Sequence, residues 1–117
     1  MEEQAKKLVT EFVVADAEYP SLSLADDILL VDFTDWREQR VRVRFENCAG
    51  VKWQEIELSG PQARDDTVYE ILHSNWLTGY FDQGARTKAD ELRHFRLCFN
   101  ACGTLDVLAA KMTRAEI

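Results

Sequence analysis

Two histidines, three cysteines and a run of aspartates are the side chains here whose types could do chemistry. A nucleophilic site needs a serine or cysteine within reach of a base, and His73 and His94 are the imidazoles available. Neither stands in a glycine-rich loop or a nucleophile elbow, so the sequence predicts a non-enzymatic protein. His94 shares the parity of Arg96 in an alternating run and reads as a solvent-side strand residue; His73 closes an apolar strand. Cys48, Cys98 and Cys102 are odd in number and too sparse for a disulfide framework. A zinc site on Cys98 and Cys102 would need two more well-spaced ligands, so these cysteines read as reduced thiols packed like small hydrophobes. Asp26, Asp27, Asp32 and Asp35 lack the alternation and central glycine of a calcium loop. With no phosphate-cradling glycine loop either, no metal or cofactor is expected.

Charge distribution points elsewhere. Residues 1–35 hold nine acids against two bases, Lys6 and Lys7, while acids and bases balance over 36–117. The whole net charge of −7 thus falls in the first third. Such a field steers cationic partners and repels nucleic acid and anionic membranes. Arg37, Arg40, Arg42 and Arg44 cluster among Asp35, Glu38 and Glu46, and are expected to form cross-strand ion pairs with Glu55 or Glu57. Asp16, Glu18, Asp26, Asp27, Asp32 and Asp35 read as an outward platform for a basic protein, its carboxylates standing in for phosphates. Tyr19, Trp36, Trp76, Tyr80 and Phe81 fall in expected turns or loops, where aromatic anchors could supply contact energy.

The elements that must position these residues follow from periodicity. Ala5, Leu8, Val9, Phe12 and Val13 recur at helical spacing, with Glu2 and Glu3 at the positive end of the helix and Tyr19-Pro20 beyond it. A β run covers Ile28 to Phe33, and Val41, Val43 and Phe45 alternate with Arg40, Arg42, Arg44 and Glu46. A third strand runs from Val51 to Leu58, its parity repaired by a bulge near Gln54. Residues 67–73 carry Val68, Tyr69 and Ile71 and read as a strand, followed by a turn or short helix around Ser74 to Leu77. Asp65 and Asp66 ahead of residues 67–73 could instead cap a helix there, and an irregular stretch covers roughly 78–90. A hairpin spans His94 to Ala109, and the tail from Lys111 reads as one helical turn. The 117 residues suit a single domain, 1–117, of α+β class: an N-terminal helix packed on a twisted antiparallel sheet of five or six strands. The opening Met1-Glu2-Glu3-Gln4 is acidic and no long apolar run follows, which predicts a cytoplasmic protein.

Three stretches together carry a resemblance: Tyr19-Pro20-Ser21 with Ala25-Asp26-Asp27; Tyr69 through Leu77; and His94 through Phe99 with Gly103 through Ala109. Their arrangement resembles the bacterial immunity proteins of polymorphic and contact-dependent toxin systems. That resemblance implies a cytosolic, acidic, non-enzymatic α+β protein that neutralises a cognate toxin such as a nuclease, and it carries over no functional residue. An alternative reading is a small-ligand-binding or regulatory domain with a pocket between helix and sheet lined by Trp53, Trp76 and Phe99. A third is an enzyme using His73 or His94 with a nearby carboxylate.

Overall fold

Alternation is the dominant local signal, and in a computed structural model of the chain it produces two antiparallel sheets rather than a helix on one sheet. The structure describes residues 2–14, 17–55, 67–82, 92–99 and 102–116. One sheet has five strands in the order β1 (Gln4–Lys7), β6 (Val68–Leu72), β7 (Arg93–Phe99), β8 (Gly103–Ala109), β5 (Gly50–Glu55). The other has four, in the order β2 (Ser21–Ala25), β3 (Ile28–Thr34), β4 (Arg40–Glu46), β9 (Lys111–Ala115). The one helix among the described residues is α1 (Asn75–Asp82).

The inward faces meet in a shared core. Leu29, Val31 and Phe33 of β3 and Val41, Val43 and Phe45 of β4 are buried, as their spacing of two demands. Phe33 packs edge-to-face on Phe99 at 5.1 Å between ring centroids, and Phe45 meets Phe95 at 5.7 Å, joining the two sheets. The sheets also share a corner. β4 pairs with β9 and β5 with β8, and Ala110 alone separates β8 from β9. Ala49 N–H donates to Leu108 O (2.7 Å) and Ala110 N–H to Glu46 O (2.8 Å), so both strands turn the corner hydrogen-bonded. Asn47 takes a positive φ of 53° at that bend.

The expected α+β class is therefore overturned, and the N-terminus shows why. Gln4–Lys7 pairs antiparallel with β6, with Gln4 opposite Leu72 and Lys7 opposite Tyr69. Beyond it Leu8, Phe12 and Val14 pack on the core while Val9 is fully exposed. These residues lie on even positions, and the helical stripe drawn through Val9 and Val13 was a coincidence of the same letters.

Three further expectations are corrected. The β5–β8 ladder runs unbroken from Gly50–Leu108 to Glu55–Gly103, so no bulge lies at Gln54; Ile56, Glu57 and Leu58 fall outside the described residues. The tail from Lys111 is a strand on β4, with Met112 opposite Phe45 and Arg114 opposite Val43. Residues 78–82, expected to be irregular, continue α1, while 83–90 and the aspartates at 65 and 66 fall outside the described residues. The strand at 68–72 and the 94–109 hairpin match expectation.

Helix α1 lies on the outer face of the five-stranded sheet. Ser74 caps it, its Oγ accepting the Leu77 N–H at 3.1 Å. Trp76 settles over Gly50, where a Cβ would come within 2.7 Å of the indole. Only glycine admits that approach.

Candidate functional site

The outer face beneath α1 holds a buried chain of polar groups. Ser74 Oγ lies 2.7 Å from His94 Nδ1, and His94 Nε2 lies 2.6 Å from Asp106 Oδ1. Arg96 Nε donates to the same Asp106 oxygen at 2.8 Å. Burial pushes the Asp106 carboxyl up, but hydrogen bonds from His94 and Arg96 outweigh it and hold the group below the ordinary aspartate range. With Asp106 ionised, His94 Nε2–H donates to it and Nδ1 accepts the Ser74 hydroxyl, which itself accepts from Leu77. Each of the four side chains thus has a hydrogen-bond partner within the chain. Trp76 closes the network, its ring edge-on to His94 at 5.3 Å.

His94 is thus not the solvent-side residue its parity suggests; it is 3% exposed because α1 covers that face. His73, at the strand's end, is exposed with φ of 58°. Ser-His-Asp is the composition of a hydrolytic relay, with Ser on Nδ1 and Asp on Nε2 here. A nucleophile must meet its substrate, however, and Ser74 is 3% exposed with one lone pair held by the helix. The hairpin register places Arg96 opposite Asp106. Ser74 joins from 20 residues away, which no local pattern encodes.

The acidic segment divides sharply. Asp32 meets Arg42 in a two-pronged ion pair at 2.7 and 2.8 Å, and those bonds hold its carboxyl below the usual range. Asp35 is buried; its carboxylate accepts the N–H groups of Arg37 and Gln39, both at 2.9 Å, and the Arg37 guanidinium at 3.1 Å. Burial raises that carboxyl, and these bonds together bring it below its ordinary value. Asp35 thereby folds the β3–β4 loop, an Asx-type turn. Both carboxylates are spent inside the protein, so the six-member platform does not form. The arginines answer Asp32 and Asp35 rather than Glu55, and Glu57 is outside the described residues.

What remains outward is Glu18, Asp26 and Asp27; Asp16 lies outside the described residues. Asp26 and Asp27 form the two-residue turn between β2 and β3, with φ of 53° and 65°. Tyr19 and Trp36, 60% and 59% exposed, sit at the opposite end of this hairpin with Glu18, whose N–H donates to Thr34 O. The Tyr19 hydroxyl donates to Glu55 at 2.6 Å, and this bond to a carboxylate raises the phenol above its usual value. Trp76 and Tyr80 belong instead to α1, on the other sheet, and the side chain of Phe81 lies outside what is described. The expected pocket of Trp53, Trp76 and Phe99 is likewise absent. Trp53 and Phe99 pack together at 6.1 Å on the core side, whereas Trp76 lies on the opposite face of the same sheet.

A feature the sequence reading passed over is β2 itself. Its five residues are all exposed, and Leu22 and Leu24 (41% and 58%) stand opposite the buried Val31 and Leu29. Direct partners share a face, so these leucines project on the core side of the sheet beyond the edge of the sheet facing it. The Ser-Leu-Ser-Leu alternation at 21–24 was the available signal.

Among the described residues no group of three His, Cys, Asp or Glu side chains could hold a metal ion, and no helix is long and apolar enough to cross a membrane. The chain matches no protein-family model. Comparison with curated proteins gives no match, and comparison with solved structures gives none either.

Proposed function

We propose that the chain is a non-enzymatic, cytoplasmic binding protein that captures and neutralises a basic protein, a cognate antibacterial toxin such as a nuclease. The observation that carries this reading is the β2–β3 turn. A two-residue hairpin with positive φ at both positions favours Asn-Gly, and here the chain spends both on aspartate. The Asp27 carbonyl ties the turn to the Cys48 N–H at 2.7 Å, while the two adjacent carboxylates stay exposed, which suits steering toward a cationic surface. Exposed Tyr19 and Trp36 at the other end of the hairpin supply aromatic contact.

The test starts from the product of the reading frame immediately upstream. It is expected to be basic, to arrest growth when expressed alone, and to be harmless when co-expressed with this chain. Asp26→Lys with Asp27→Lys should slow association by about tenfold or more at low salt and flatten its salt dependence. An unchanged association rate in that double variant would remove the steering argument.

A further inference from the structure

The two sheets present four edges, and three of them carry the charges that blunt strand edges. β1 has Lys6 and Lys7, β5 has Lys52, and β9 has Lys111 and Arg114. β2, Ser21-Leu22-Ser23-Leu24-Ala25, has none, and among the described residues it hydrogen-bonds on one side only, to β3. Its second row of backbone groups is open to solvent, and Leu22 and Leu24 continue the core-side apolar layer past the last strand. From these observations we infer that β2 is a strand-addition site, taking an extended basic segment of a partner protein as the fifth strand of its sheet. This rests on the binding reading above and specifies its mode.

The surrounding charge selects that occupant. Asp26 and Asp27 flank one end of β2 and Glu18 the other, with about 17 Å of strand between. A second copy of this chain pairing antiparallel would lay Asp26 and Asp27 beside the other copy's Glu18. A parallel copy would set Asp26 and Asp27 against their own counterparts. Both arrangements juxtapose like charges. A segment with cations at both ends and alternating apolar residues between them meets opposite charge at each end. Its apolar side chains extend the layer begun by Leu22 and Leu24, while its other face lies beside Ser21, Ser23 and Ala25. Main-chain hydrogen bonds hold such a strand, and the alternate side chains select it.

The probe is the peptide Lys-Lys-Val-Thr-Val-Thr-Val-Lys-Lys, added to the isotopically labelled full chain and followed by amide hydrogen exchange and chemical shift. Saturable binding with slowed exchange confined to 21–25 is expected, weakened about tenfold by Leu22→Lys with Leu24→Lys. The same peptide with glutamates for its lysines should not bind. Protection at β1, β5 or β9, or no protection at 21–25, overturns strand addition. Protection at 21–25 without peptide, rising with protein concentration, overturns it in favour of self-pairing. Because the peptide assay contains no toxin, its failure leaves the growth-rescue result for the binding reading standing, and the two are told apart.

Discussion

The outer face under α1 and the β2–β3 hairpin use the same residue types in opposite ways. Around His94, a serine, an imidazole, a carboxylate and a guanidinium are joined in one hydrogen-bonded chain, with Trp76 edge-on to the imidazole. At the hairpin, two aspartates stand unpaired on a positive-φ turn, and two leucines on the core side of a sheet face solvent. Pairing within the protein marks groups that make the fold. Exposure that the fold could have avoided marks groups kept for something outside it. Asp32 and Asp35 sit within ten residues of Asp27 yet belong to the first kind, because arginines answer them.

If that division holds, damage to the relay should appear in stability. His94→Ala removes a buried ring, takes away the Ser74 hydroxyl's imidazole partner and leaves Asp106 with Arg96 alone. A loss of about 2–4 kcal/mol is expected, read from the urea midpoint at unchanged slope. A loss below about 1 kcal/mol would show that the relay does not hold α1 to the sheet. Binding to a partner at the hairpin should persist in whatever fraction stays folded. Gly50→Ala acts one step further out, driving a methyl into Trp76 at 2.7 Å and lifting the indole off the sheet, for about 1–3 kcal/mol.

Much of this division could be foreseen from β4 and the 94–109 hairpin, whose alternation fixes faces, though a turn read at 100–103 is one residue longer than the observed pairing of Phe99 with Gly103 allows. The N-terminal strand could not, because Gln4–Lys7 carries no apolar alternation of its own and Leu8, Val9, Phe12 and Val13 beyond it satisfy a helical stripe. Its partner, β6, lies more than sixty residues away. Nor could Asp32 and Asp35 be sorted from Asp26 and Asp27 by composition. Sorting needs the β3–β4 register, which sets Asp32 opposite Arg42, and the loop that brings Arg37 and Gln39 to Asp35. The exposure of Leu22 and Leu24 depends on where the facing sheet ends, a property of two layers that no strand encodes alone.

Acid should separate the regions more gently. Asp106, Asp35 and Asp32 all titrate below the ordinary aspartate value of 3.8 when folded. The stability each contributes is therefore complete above the unfolded value and is lost as pH falls through the folded one. Stability should decline from about pH 5 downward. Asp106→Asn should lower the plateau and make that decline shallower, as urea midpoints from pH 3 to pH 6 would show.

The smallest effect is the most discriminating, because its sign is opposite. Asp26→Asn with Asp27→Gly installs the pair that a positive-φ hairpin turn prefers and removes two adjacent like charges. Stability should rise by up to about 1 kcal/mol, seen as a higher urea midpoint with the same slope. The same variant should associate more slowly with a basic partner, because the steering charge is gone. Gain in one measurement and loss in the other is what a turn kept for recognition requires. If stability falls instead, Asp26 and Asp27 are part of the fold's own bonding, and the hairpin belongs with the relay rather than against it.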